Sequence, residues 1–353
     1  MNMRTSEWVS IGHPDKIADA ISEYILDKYL ENDPDVRYAL EVMIKNNRVF
    51  LGGEITSSYQ FLPSDIEKFV KDAVKMVGYD EKYQEKWGNY AININELKTY
   101  ICIQTQSPDI SQGVDNQGWG DQGIFHGYAE NNINTDFMPL DHYLARDLGM
   151  LLYNNARENN VGGLDIKTQI TLDKEDNIEQ VIVAIPVLDD LEMEEIRTMV
   201  EFWVEVTQNS KCKNIIINGT GIYQYHSSIG DCGITGRKLV VDFYGGNSKI
   251  GGGSPWTKDG SKADLTLNLY VRDLAKKYIL GEYSDCAYVE TSASCCIGKS
   301  EIFVSVKGYN KNKELIHSKD LQENISPSTL IKSFRLNEPT FVYKCWNGLF
   351  EGI

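Results

Sequence analysis

Three helix-forming stretches begin near Pro14, Pro139 and Lys262, so their starts fall 125 and 123 residues apart in a chain of 353. The first round reads as a helix over 14–31, with Ile17, Ile21 and Ile25 at i, i+4 spacing. It continues with strands near 37–44 and 48–55, a helix over 63–77 capped by Ser64 and stopped by Gly78, and a strand near 99–103. The second reads as a helix from about 139 with Leu140, Leu144, Leu148 and Leu151 on one face. A hairpin of 166–172 with 180–187 follows, then a helix over 191–207 and a strand over 213–217. The third starts with Leu267, Tyr270, Val271, Leu274 and Tyr278 at helical spacing. Strands near 286–291 and 302–306 come next, with weaker helices after His317. Three α-β-β-α-β units of like length predict a pseudo-threefold α+β molecule with domains over 1–104, 124–230 and 231–353. Residues 105–123 are rich in Gln, Ser, Asp, Asn and Gly, have no apolar period, and exceed most connections in a compact domain. They read as a flexible loop over a site.

The chemistry concentrates in glycine-framed clusters. Gly251-Gly252-Gly253 is followed by Ser254, Lys258, Lys262 and Asp264 at the start of the third long helix. Consecutive glycines let a backbone approach a ligand closely and present several N–H groups. Lysines at a helix N-terminus add the cations and dipole that a polyphosphate needs. Aspartates among those lysines suit a divalent ion bridging to phosphate oxygens. It is not a Walker A loop: Thr257 and Asp259 stand where that motif needs Gly and Ser or Thr. His13, Asp15 and Lys16 cluster around Pro14, a residue suited to a first helical position. Gly230-Asp231-Cys232-Gly233 leads to Arg237 and Lys238, just before a strand expected over 239–243, and Gly120-Asp121-Gln122-Gly123 frames another carboxylate.

The net charge of −16 excludes nonspecific nucleic-acid binding and makes Lys16, Arg237, Lys238, Lys258 and Lys262 the local cations for an anionic ligand. No apolar run approaches the roughly 20 residues of a membrane span, and the N-terminal residues form no apolar signal core, so a cytoplasmic location is expected. The seven scattered cysteines read as reduced thiols.

Gly12-His13-Pro14-Asp15-Lys16, Gly53-Glu54-Ile55-Thr56, Gln106-Ser107-Pro108-Asp109-Ile110, Gly120–Gly123, Gly230–Gly233 and Gly251–Asp264 stand in the order and spacing of the methionine adenosyltransferase (S-adenosylmethionine synthetase) family, which this chain resembles. The resemblance implies three related α+β domains whose apolar sheet faces pair in a homodimer, or a dimer of dimers, with active sites at the interface. It implies attack of the methionine thioether on C5′ of ATP, followed by hydrolysis of the triphosphate to pyrophosphate and phosphate. A thioether carries no proton, so the first step needs no general base, and the chain shows no Ser/His/Asp or Cys/His constellation.

Carried over by motif, His13, Lys167, Asp231, Lys258 and Lys262 are the implied catalytic residues. Asp165, Lys167, Ile222, Tyr223, Asp231, Arg237, Lys238, Ser254 and Lys258 join His13 around ATP. Glu54, Gln106, Asp121, Asp231 and Lys262 correspond to methionine-binding positions, Asp15 and Asp264 to Mg²⁺ ligands, and Glu41 to a K⁺ ligand. One protomer is expected to supply the glycine loop and its lysines, and its neighbour Glu54, Gln106 and Asp121. The chain departs from the pattern at Ile222-Tyr223, where the family usually has Arg-Phe, and at His226-Ser227-Ser228, in place of Gly-Gly-Pro. Ser254-Pro255-Trp256-Thr257 stands for Ala-Phe-Ser-Gly, and the C-terminus is short. The competing readings are a non-catalytic regulatory paralogue and another Mg²⁺-dependent ATP-hydrolysing enzyme.

Overall fold

The computed structural model describes residues 3–105, 118–212 and 214–350. The first round comprises β1 (Arg4–Val9), α1 (Pro14–Leu30), the hairpin β2 (Arg37–Lys45) and β3 (Arg48–Thr56), α2 (Pro63–Val77), α3 (Glu81–Trp87) and β4 (Lys98–Gln104). The second comprises β5 (Gly123–Glu130), α4 (Leu140–Glu158), the hairpin β6 (Lys167–Leu172) and β7 (Ile178–Ala184), α5 (Asp190–Gln208) and β8 (Ile215–Ile217). One-turn helices α6 (Ser227–Gly230) and α7 (Leu239–Asp242) flank β9 (Gly233–Ile234). The third round then runs α8 (Ala263–Leu280), β10 (Tyr288–Cys295), β11 (Glu301–Tyr309), β12 (Leu315–Asn324), α9 (Pro327–Phe334) and α10 (Phe341–Asn347).

Among the described residues the strands form three four-stranded sheets, ordered β4-β3-β2-β9, β8-β7-β6-β1 and β12-β11-β10-β5. The strand preceding each long helix leaves its own round and adds antiparallel to another round's hairpin: β1 to β6, β5 to β10, β9 to β2. The pseudo-threefold plan is therefore interlocked, and every sheet borrows an edge from elsewhere in the chain. Gly127 of β5 shows how tightly: an added Cβ would lie 2.1 Å from the carbonyl oxygen of Val271 on α8.

Several expectations need correction. The third round has no crossover helix: β12 returns antiparallel through a turn at 310–314, whereas β4 and β8 lie parallel to β3 and β7. Residues 239–243 are not a strand. Lys238 O accepts from the N–H groups of Val241 and Asp242, closing the turn of α7. The cap of α2 is Leu62, not Ser64; Pro63 occupies the first turn and Asp65 accepts from the Leu62 N–H. Gly78 does stop that helix, in a left-handed conformation. Of the expected loop, residues 106–117 lie outside the described residues. Its end is anchored, with Trp119 fully buried and its N–H donating to Lys299 O at 3.0 Å.

Replacing Gly127 by Val should lower the unfolding midpoint of the whole chain, at a cost of about 1–3 kcal/mol or more, because a backbone carbonyl cannot move aside. Thermal or urea unfolding measures this, and an unchanged midpoint would mean that β5 does not hold the third sheet to α8.

Candidate functional site

His13 is the N-cap of α1. The Asp15 N–H donates to its Nδ1 at 3.1 Å, so the neutral ring carries its proton on Nε2 and can donate from there. Burial, with the Lys238 and Lys167 cations, pushes its pKa down to about 2. Asp15 is buried, and its carboxylate accepts from the Ile234 N–H at 2.9 Å and from Lys238 Nζ at 2.6 Å, with Arg237 Nε 3.7 Å away. Asp231 stands exposed after α6 and accepts from the Cys232 N–H at 2.7 Å. Lys167 is exposed at the start of β6. Asp165 is buried just before it. It accepts from the Ser227 N–H at 3.0 Å, while its Oδ1 has no partner, and burial raises its pKa to about 7 against the pull of Lys167. Tyr223 donates its hydroxyl to the Asp165 carbonyl at 2.8 Å, and Ile222 is exposed without any polar group to offer.

A second cluster forms where the glycine loop meets α8. Asp264, in the first turn, accepts from the Gly253 N–H at 2.7 Å and from Lys258 Nζ at 2.5 Å. Lys262 precedes the helix, half-buried. Ser254 Oγ accepts from the Trp256 N–H at 3.2 Å. Asp121 is exposed; its carbonyl accepts from the Cys295 thiol at 3.4 Å, and the carboxylates of Asp121 and Asp264 add to burial in pushing that thiol up to about 12. Glu54 and Lys258 flank Ala39 in one row of the first sheet. The glycine loop and the 231–238 loop approach each other at Ser254 and Gly236. No ion pair among the described residues crosses between the two clusters.

The structure thus regroups the expected residues. Glu54 and Asp121 lie on the same chain as the glycine loop and beside it, not apart from it, because β2 and β10 bring them there. Gln106 lies outside the described residues. Glu41 is exposed but engaged: it accepts from the hydroxyls of Thr235 and, at 3.2 Å, Thr257, which ties the two glycine clusters to one carboxylate. Lys16 is not a phosphate cation. It is buried, 2.6 Å from Asp242, 3.1 Å from Asp19 and 5.5 Å over the Trp256 ring. Burial alone would lower its pKa, but Asp242 and Asp19 more than offset this. Sequence reasoning gave no role to Thr235, Thr257 or Asp19, and counted Asp259 among the aspartates suited to a divalent ion. Asp259 accepts from the Tyr38 N–H at 2.8 Å and pins the glycine loop to β2.

Models of the S-adenosylmethionine synthetase N-terminal, central and C-terminal domains match residues 1–108, 116–223 and 226–352. The S-adenosylmethionine synthase of Mesoplasma florum is 34% identical, covering 98% of this chain and 94% of that protein. The one from Fusobacterium nucleatum is 35% identical, covering 96% and 90%. A solved structure described as an unusual S-adenosylmethionine synthetase from Campylobacter jejuni superposes with a TM-score of 0.83 at 30% identity, covering 99% of this chain and 94% of that one.

Two outcomes are expected. Because the folded pKa of His13 lies far below its ordinary 6.5, its contribution to stability is present above pH 6.5 and fades as pH falls toward about 2. At about 1.4 kcal/mol per unit, the parent should lose about 2 kcal/mol more than His13→Asn between pH 6.5 and 5 in urea unfolding. Equal pH slopes would show a protonatable His13. Lys16→Met, which leaves two buried carboxylates facing each other, should cost about 3–5 kcal/mol of stability by the same measurement. An unaffected midpoint would return Lys16 to the ligand-binding cations.

Proposed function

The chain belongs to the S-adenosylmethionine synthetase family, and from that premise we propose that it makes S-adenosylmethionine from ATP and L-methionine. One observation supports this most: in two carboxylate–lysine pairs, Asp15–Lys238 and Asp264–Lys258, the carboxylate stands in the first turn of a long helix and the lysine comes from a glycine-bearing loop beside it. Each pair neutralises itself when no ligand is present. The carboxylates would hold a divalent metal and the lysines the phosphate oxygens of a polyphosphate, so that little charge would be left unpaired.

In the proposed reaction the methionine sulfur donates its lone pair to C5′. The C5′–O5′ bond breaks, and its electrons leave on the triphosphate as the sulfonium forms. Neutral His13 offers its Nε2–H to the departing oxygen, while Lys167, Lys238, Arg237 and Lys258 take up the developing polyanion charge. Asp231 in the first cluster and Asp121 in the second are exposed carboxylates suited to methionine's ammonium and the new sulfonium, and Glu54 and Lys262 belong to the second cluster. Water then cleaves the triphosphate to pyrophosphate and phosphate.

Mg²⁺ fits these residues: it keeps several waters and takes one or two carboxylates with substrate phosphates, and Asp15 and Asp264 are such single hard ligands. When bound, it supplies positive charge to the phosphate oxygens. For K⁺, Glu41 with the hydroxyl oxygens of Thr235 and Thr257 offers an all-oxygen set.

Each chain carries two half-sites, and we infer that a second copy brings complementary halves together. The sheet faces turned away from the helices expose Met43, Phe50 and Tyr100, and Ile124 and Phe303, apolar surface of the kind a homodimer or dimer of dimers covers.

Mass spectrometry of a reaction with ATP, methionine, Mg²⁺ and K⁺ should show the sulfonium product with equal pyrophosphate and phosphate. Phosphate release indifferent to methionine would instead indicate an ATP hydrolase, and binding without turnover a regulatory paralogue. Asp15→Asn or Lys258→Ala should each raise the barrier by about 3 kcal/mol, roughly a hundredfold in turnover, with the fold intact by circular dichroism. Mixing the two variants under subunit exchange should recover about a quarter of parental activity, since half the dimers are mixed and each carries one unmutated site. No recovery in verified mixed dimers would refute the shared site.

A further inference from the structure

Away from both half-sites, Asp285, Cys286 and His317 bring three different metal-ligand types to one place, with one ligand atom of each within 4.8 Å of the others. Asp285 and Cys286 end the turn between α8 and β10, and His317 lies on β12, the outer strand of the third sheet. His317 Nε2 is 2.9 Å from Asp285 Oδ1, and that oxygen is 3.9 Å from Cys286 Sγ. The site has a built floor. Gly308 pairs with His317 across the β11–β12 ladder, and a Cβ on it would lie 2.4 Å from Cys286 Sγ, so only a glycine there leaves room for the thiol. The His317 ring is fixed by stacking on Tyr283, centroids 4.8 Å apart at 23°. Cys286 is buried, His317 half-buried and Asp285 exposed, leaving a fourth direction open to water.

We propose that Asp285, Cys286 and His317 form a site for a zinc-class divalent metal ion that staples the α8–β10 turn to the edge strand β12. Zinc bonds of about 2.0–2.3 Å in a tetrahedron place ligand atoms about 3.3–3.6 Å apart. The histidine–aspartate pair would open by about 0.5 Å and the thiol would close by about 0.4 Å on the aspartate and by at most about 1.2 Å on the histidine, within the reach of side-chain rotation. A thiolate and an imidazole select zinc or its cobalt surrogate over magnesium, which takes oxygen ligands, so this site does not compete for the ion implied at Asp15 and Asp264. The ion would close a contact that the third round makes in place of the crossover helix of the other two.

The test uses the full chain, stripped with a chelator and titrated with Co²⁺. One equivalent should produce tetrahedral visible bands and a thiolate-to-cobalt charge-transfer band, both displaced by Zn²⁺. Cys286→Ser should abolish the charge-transfer band. His317→Ala, at a partly exposed position that folding tolerates, should weaken binding more than about 100-fold, since even outer-shell losses cost about 10- to 100-fold. Cys295→Ser and Cys296→Ser should leave the band unchanged. Zn²⁺ should raise the melting temperature of the parent but not of His317→Ala. Absence of charge transfer in the parent, or a band that survives both Cys286→Ser and His317→Ala, would overturn the proposal.

Discussion

Helix α1 carries four carboxylates at four-residue spacing, Asp15, Asp19, Glu23 and Asp27, and each captures backbone N–H groups from far along the chain. Asp15 takes that of Ile234 and Asp19 that of Gly236, both at 2.9 Å; Glu23 takes that of Thr257. Asp27 takes those of Phe341 and Val342 at 2.8 and 3.0 Å. Residues four apart lie on one helix face, so a single row of acids fixes the 231–238 loop, the glycine loop and the start of α10 in order. Ile17, Ile21 and Ile25 fill another face, and all three are fully buried. The cost is visible in the acids themselves. Burial pushes Asp27 up to about 6 and Asp19 up to about 7, and holds Glu23 well above the ordinary carboxylate range.

The glycine loop shows how a departure from the family pattern is absorbed. Thr257 stands where that pattern has glycine, and its φ of 77° lies in the left-handed region that β-branched residues avoid. Such strain costs about 1–3 kcal/mol and persists only where the surroundings fix it. Here the Thr257 N–H donates to Glu23, its carbonyl accepts from the Leu40 N–H at 3.0 Å, and its hydroxyl donates to Glu41. Trp256, in place of the usual serine, covers the buried Lys16 ammonium. The two changes repack one wall, and Lys258 follows directly from it.

Elements with their own periodicity were legible in the sequence: α1, α2, α4, α5, α8 and the β2–β3 and β6–β7 hairpins lie close to where apolar spacing puts them. The strands β1, β5 and β9 were not, because their partners lie far away and a short strand without a local hairpin leaves little trace. For β12, ten residues with an exposed face, the stretch after His317 read as weak helix. The glycine clusters could be recognised as ligand loops, but Lys16 looked like a phosphate cation because its partners Asp242 and Trp256 are 226 and 240 residues away. The spacing of the α1 acids was present in the sequence all along; amphipathic reading notices apolar stripes and treats acids as solvent-facing.

The borrowed edge strands also set a timetable for synthesis. The free edge of β2 is covered by β9 and by the bridge between Ala39 and Lys258. At about 5–20 residues per second, that edge would stand open on the ribosome for about 10–40 s before residues 233–234 emerge. An uncovered strand edge is a template for pairing with other chains. This strand carries Arg37, Glu41 and Lys45 in the same outward row as Met43, and charges at that spacing would keep neighbouring nascent chains apart until β9 arrives.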